Sequence, residues 1–440
     1  MLPTVTQCTT KDGVTVVTIT PPSSNDKTPP TSGAHLLSID VSGSMDADAI
    51  TTADDGTKKA SGWSMLDIAK HAAITYASSL TENDYFQLNK FSSNSVVVQP
   101  FLKCDAEGKE LLKQKILGLQ TGGATNFADA IFKGVSAFKA VPSHMGEAPS
   151  EFSLSCIILT DGMPSEVYNP QDGWDGMLKR AKNEVILKHG AACLPNLTTV
   201  GLGNSLNCEL MDHIGDNFVH MPDPGAVGPF MVNLLAQNSS VAPVNIDGRR
   251  IVLNHGVLFV SPVENVIKTM GCAKTTVSTN SLLVHLSSIA YDQKRIVCME
   301  TSGPVSVSLG TPEGGFCDAS ESGETESGET ESGETVDQSS AVDILLQCTP
   351  TRSILLDNFI SSLEEDSPLR ITLETEGKKA LVNWTTWGKP YFYSLSNALF
   401  RMRRTNFRDL CLQRFGQKED GTEGIFDRLS SKAETIFGSL

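Results

Sequence analysis

Between Ala34 and Asn238 the chain alternates short apolar runs with stretches whose apolar residues recur every three or four positions. That alternation restricts the fold more than any other feature. Strand-length runs separated by helix-length stretches imply an α/β architecture with a mainly parallel central sheet. "AHLLSID" and "FSLSCIILTD" are too apolar for a half-exposed strand and read as strands buried on both faces. "SMLDIAKHAAITYASSL" spaces Leu66, Ala69, Ala73, Tyr76 and Leu80 for one helix face, and Ser64 with Asp67 forms a capping-box signature. "EGKELLKQKILGL", "NFADAIFKGVSAFKA", "WDGMLKRAKNEVILKHG" and "PGAVGPFMVNLLAQ" are further helices. "DYFQLNKF" with "SVVVQPF" reads as a strand pair, and "LTTVGLG" as another strand.

A chain of 440 residues exceeds one compact core, so two or more domains are expected. After about residue 240 the segments become short and β-branched, as in "RRIVLNHGVLFV" and "KRIVCMETSGPVSVSLG", which is β-sandwich texture. Residues 1–33 carry one strand-like stretch, "VTVVTIT", followed by a proline- and serine-rich linker. A strand left alone exposes unpaired backbone groups, so this one is expected to join the β-sandwich. The division expected is therefore 1–33 (strand and linker), 34–238 (α/β domain), 239–350 (β-sandwich) and 351–440 (helical C-terminal region). Within the third part, residues 319–339 contain three repeats of ESGET. Such a composition buries no core, and a disordered acidic loop is expected there.

The net charge of −16 argues against a nucleic-acid backbone or an anionic membrane surface as partner. No apolar run is long enough for a transmembrane helix. "MLPTVTQCTTKDG" has neither a basic nor an apolar leader region, so an intracellular, cytoplasmic location is expected. The ten cysteines form no C-x-x-C pair and are expected to be reduced. The sequons at Asn196, Asn238 and Asn383 are then expected to go unused.

The chemistry concentrates at the ends of the two most apolar strands. Asp40 ends the first and is followed by Ser42 and Ser44; Asp161 ends the second in "ILTDGMPS". Between them "TGGATNFADAI" places Thr125 at a glycine-rich turn before a helix. In a parallel sheet the loops at the carboxyl ends of neighbouring strands converge on one crevice. If the two aspartate strands are neighbours, Asp40, Ser42, Ser44, Thr125 and Asp161 meet there. All five offer oxygen, which suits a hard cation, Mg²⁺ or Mn²⁺. Two carboxylates about neutralise the ion and leave it wanting one more anionic oxygen, which a protein partner's carboxylate supplies.

"DVSGSM", the Thr125 turn and "LTDGMP" together resemble the von Willebrand factor type A domain with a complete metal-ion-dependent adhesion site. The resemblance covers roughly residues 34–238. It implies a Rossmann-like domain that binds a metal through Asp40, Ser42, Ser44, Thr125 and Asp161; with no nucleophile–base pair beside that set, a non-enzymatic protein-interaction module is expected. A looser resemblance joins "WGKPYFYSLSNALFRMRRTNFRDLCLQRFG" and the phenylalanine-rich end to the Vwaint region. That region is intein-like and follows the A domain in some eukaryotic proteins, which also carry U-box, RING or Hint domains. It motivates one alternative, a component of a ubiquitin-ligase pathway. A Mg²⁺-dependent hydrolase is a second, for which the sequence offers no obvious base: His35, the histidine nearest the motif, begins the strand that Asp40 ends. The acidic insertion at residues 46–63 departs from the usual direct entry into the first helix, and a solvated loop is expected for it.

Overall fold

The computed structural model describes residues 2–10, 13–52, 57–141, 149–221, 227–271, 274–321, 328–400 and 422–437. The chain divides into two units. One comprises residues 27–243 with 425–440; the other comprises 1–26 with 244–424.

The first unit is built on a six-stranded sheet. Its order is Asn217–Met221, Asn196–Leu202, Ser153–Thr160, Gly33–Asp40, Tyr85–Phe91 and Ser95–Lys103. Every neighbouring pair is parallel except the last, which is antiparallel. The two central strands, ending at Asp40 and Thr160, are buried along their whole length. Their side chains alternate between two helical layers, which explains the unbroken apolar runs. Leu37, Ile39, Ile157 and Leu159 share a core with helices Met65–Ser79 and Val227–Ser239. On the opposite face helix Phe127–Ser136 approaches closely at Gly134, where a Cβ would stand 3.0 Å from Cys156 Sγ.

The capping box at Ser64 and Asp67 is formed, with Ser64 accepting from the Asp67 N–H. The insertion expected as a loop is instead a β-hairpin, Asp48–Thr52 against Lys58–Ser64. Buried Met45 and Ala49 anchor its root in the same core, and pairing the backbone satisfies groups that an open loop would leave to water. Beyond the expected segments, a short helix, Cys208–Ile214, leads into a largely buried strand, Asn217–Met221, that forms the sheet edge.

The second unit packs two five-stranded sheets face to face. One has the order Val266–Thr269, Arg295–Thr301, Val14–Thr20, Thr4–Thr9 and Ser320–Glu321. The other has the order Lys274–Val277, Leu282–Ser287, Gly256–Ser261, Ser306–Thr311 and Gly314–Asp318. Val17, Ile19, Val297 and Met299 from the first meet Leu258, Val260, Val284 and Leu309 from the second. Val14–Thr20 pairs antiparallel with Arg295–Thr301. A further strand, Thr4–Thr9, pairs with its other side; the sequence hid this one because mainly Val5 of it is buried.

Two boundaries differ from those expected. Helix Gly328–Gln347 begins within the ESGET repeats, where a loop was expected through residue 339. Ala341, Val342 and Leu345 bury its C-terminal half, and extending a formed helix costs far less than nucleating one. The C-terminal region 351–440 is also not one body. Its helices up to Phe400 share a core containing Leu356, Leu373, Trp387, Tyr391 and Leu395. The last helix, Ile425–Phe437, instead packs on helices Val227–Ser239 and Met65–Ser79 of the α/β unit. Its amphipathic pattern declared a buried face but not which surface would bury it. The Asn406–Asp409 stretch lies outside the described residues.

Cysteines 8, 104, 156, 193, 208, 298, 317 and 348 form no disulfide. Asn196 and Asn238 are buried, so neither sequon offers its amide to solvent in the folded chain.

Candidate metal centre

The strand order reverses beside Gly33–Asp40. The chain first builds outward through Tyr85–Phe91 and Ser95–Lys103, then returns to place Ser153–Thr160 on the other side. Such a reversal opens a crevice at the carboxyl ends of the two strands. Asp40 and Asp161 stand on either side of it, because Ile39 is in register with Leu159.

Hydrogen bonds bridge the crevice. The Ser42 N–H donates to Asp40 Oδ1 at 2.8 Å. The Ser42 and Ser44 hydroxyls lie 3.1 Å apart, and Ser44 Oγ donates to Asp161 Oδ1 at 2.8 Å. Thr125 joins through its backbone. The Ser165 N–H donates to Thr125 O at 3.0 Å, and the Thr125 N–H donates to Ser165 Oγ at 3.2 Å. The turn before Thr125 is tied to the Ser42 loop by Gly122 N–H to Val41 O at 2.7 Å and Gly43 N–H to Gly123 O at 3.0 Å. Gly123 is required in this turn. Its φ of +87° is left-handed, and a Cβ would stand 3.0 Å from Ser93 Oγ. The structure thus links Asp40, Ser42, Ser44 and Asp161 by hydrogen bonds and ties the turn that carries Thr125 to the Ser42 loop through Gly122 and Gly123. The Thr125 hydroxyl makes no hydrogen bond to the other four among the described residues.

The sequence reading passed over Thr160. Its hydroxyl donates to Asp40 Oδ2 at 2.5 Å, so both Asp40 oxygens accept a hydrogen bond from the protein. Ser165, which clasps Thr125, was also missed. A threonine or serine beside a motif is too common to carry a signal by itself.

Burial governs the electrostatics. Asp40 is fully buried, and desolvation lifts its pKa to about 6 against the pull of Thr160 and Ser42. Burial also raises Asp161, partly countered by the Ser44 hydroxyl. Two desolvated carboxyls facing one crevice are poorly served as they stand, and a cation between them would relieve both. The donor set fits a hard ion because it is all oxygen. Among the described residues no group of three or more His, Cys, Asp or Glu is arranged to hold a metal. An ion in this crevice would therefore depend on the hydroxyls as much as on the two carboxylates.

Residues 36–162 match the family model for the von Willebrand factor type A domain, a span that contains all five crevice residues. This part of the chain is a von Willebrand factor type A domain. The likeness of fold extends further. A von Willebrand factor type A structure from Catenulispora acidiphila is 14% identical, with a TM-score of 0.54 over 87% of this chain and 86% of that one. The ArnB paralog VWA2 from Sulfolobus acidocaldarius is 15% identical, with a TM-score of 0.51 over 91% of this chain and 95% of that one. At such low identity these superpositions show a likeness of fold alone. No curated protein sequence matches the chain.

Proposed function

We propose that this von Willebrand factor type A domain is a metal-dependent protein-interaction module. Asp40, Ser42, Ser44, Thr125 and Asp161 would hold Mg²⁺ or Mn²⁺, and the ion would take a carboxylate from a protein partner. The observation that carries this reading is the hydrogen-bonded path from Asp40 through Ser42 and Ser44 to Asp161. It runs across a switch-point crevice and leaves two buried carboxyls short of counter-charge. A-type domains generally mediate protein binding, which sets the class of partner.

We read the site as binding rather than catalytic. Water activation would need a proton acceptor beside the ion. His35 lies at the far end of the Asp40 strand, is fully buried, and holds Tyr76 Oη at 2.9 Å. Burial lowers its pKa to about 4. No helix among the described residues is long and apolar enough to cross a membrane.

Calorimetry of the full chain with MgCl₂ and MnCl₂ tests the ion. Binding should be saturable and should disappear in Asp40→Ala and Asp161→Ala variants that keep their circular dichroism. Heat equal to that of dilution in the parent chain would remove the basis of the proposal.

A further inference from the structure

The loop after Asp161 carries a large, exposed apolar residue beside two of the crevice residues. Gly162 lies against Ser44: a Cβ built on it would stand 3.5 Å from Ser44 Oγ. The next residue, Met163, is one Cα step of about 3.8 Å away, and it is 56% exposed. Two residues on, Ser165 is clasped to Thr125 by the reciprocal hydrogen bonds described above. Met163 is therefore held between two anchored points, each at a proposed metal-site residue. From Gly162 to Tyr168 the charged side chain is Glu166, which is exposed. The loop offers no cation to a second acidic group on a partner. It offers instead an apolar, polarizable thioether that adapts to varied apolar shapes.

We propose that Met163 is a specificity-determining residue of the crevice. It packs on an aliphatic or aromatic side chain adjacent in sequence to the carboxylate that the ion captures. The partner is thus a protein segment in which Asp or Glu neighbours a large apolar residue, rather than a polyacidic stretch. This rests on the metal-dependent reading above.

The test uses the full chain and fluorescent seven-residue peptides with one central Asp. The flanking positions carry Leu or Phe, Ser, Glu, or Lys, and anisotropy is read in MgCl₂ and in EDTA. In MgCl₂, peptides flanked by Leu or Phe should bind about five- to tenfold more tightly than those flanked by Ser, as burial of one apolar contact implies. Met163→Ser should bring that ratio within about twofold while leaving the Mg²⁺-induced thermal shift unchanged. Leu187→Ser serves as the control. Leu187 is 88% exposed near the C-terminal end of helix Gly173–His189, far from the carboxyl ends of the strands, and its loss should preserve the preference. Mg²⁺-dependent binding without an apolar preference, with a preference for Lys flanks, or with a preference that survives Met163→Ser overturns the proposal and leaves the metal reading standing. Binding that is absent, or equal in MgCl₂ and EDTA, overturns both.

Discussion

Thr160 donates its hydroxyl to Asp40 across the boundary between two parallel strands, 2.5 Å from Oδ2. The residue just before one crevice carboxylate thus steadies the other. Asp40 cannot turn away from the crevice without leaving Thr160, itself buried, without its acceptor.

Thr160→Val keeps the shape and removes the donor. Hydrogen bonds to charged groups contribute roughly 1.5–3 kcal/mol. Losing this one should raise the Asp40 pKa further, so protons compete harder with the ion. Calorimetry should find Mg²⁺ binding weakened about tenfold, with a larger loss at pH 6 than at pH 8. An equal loss at both pH values would show that Thr160 acts on shape rather than on charge.

Asp40 makes metal-free stability depend on pH in a defined direction. Its pKa rises from 3.8 to about 6 on folding, so the folded chain keeps a proton that the unfolded chain has released. This contribution is fully present below about pH 4 and is lost as pH rises through 6. It amounts to about 3 kcal/mol at most. Asp40→Asn should flatten that part of the pH profile and stabilise the metal-free protein at pH 7.5, while abolishing the stabilisation by Mg²⁺. Urea unfolding in EDTA across pH 4–8 measures both effects.

The last helix should matter to the α/β unit. Ile425, Phe426 and Ala433 are buried, and Arg428 Nη2 donates to Thr28 O at 2.9 Å. Ending the chain at Gly424 exposes the surface they cover, at a cost of roughly 1.5–3 kcal/mol for each large side chain. Hydrogen exchange should rise in Val227–Ser239 and Met65–Ser79. Unchanged protection there would mean that the helix adds little.

The first strands should matter to the β-rich unit. Removing residues 1–20 takes away two of the five strands in one sheet, including Val17 and Ile19 from the core. The sandwich should lose cooperative unfolding, while Mg²⁺ affinity should stay within about twofold. Loss of ion binding would show that the units are energetically linked.

Asp40, Ser42, Ser44 and Asp161 were legible because they end or follow the two most apolar strands, and Thr125 because it sits at a glycine-rich turn before a helix. A strand buried on both faces favours a near-continuous apolar run, and an aspartate at its end is conspicuous. Thr160 was not legible because it is polar within such a strand, where its partner comes from a neighbour 120 positions away. Helix Gly328–Gln347 escaped notice because its early residues have no apolar pattern and its support comes from Ala341 onward. The hairpin at Asp48–Ser64 lacked strand texture because much of it faces solvent; Ile50 and Trp63 are 46% and 52% exposed. The return of helix Ile425–Phe437 to the first unit is a property of topology, which local periodicity does not encode.

That return, with the pairing of Val14–Thr20 and Arg295–Thr301, sets a timetable for synthesis on the ribosome. Val14 and its neighbours lie opposite residues that emerge some 280 positions later. At roughly 5–20 residues per second they wait about 15–60 seconds for that edge. The α/β sheet meanwhile has all six strands by Met221 and forms while the nascent chain still grows. Its final apolar cover, the helix carrying Phe426 and Ala433, emerges some 200 residues after Met221. The early strands and the uncovered helix face are therefore the surfaces most in need of a nascent-chain chaperone.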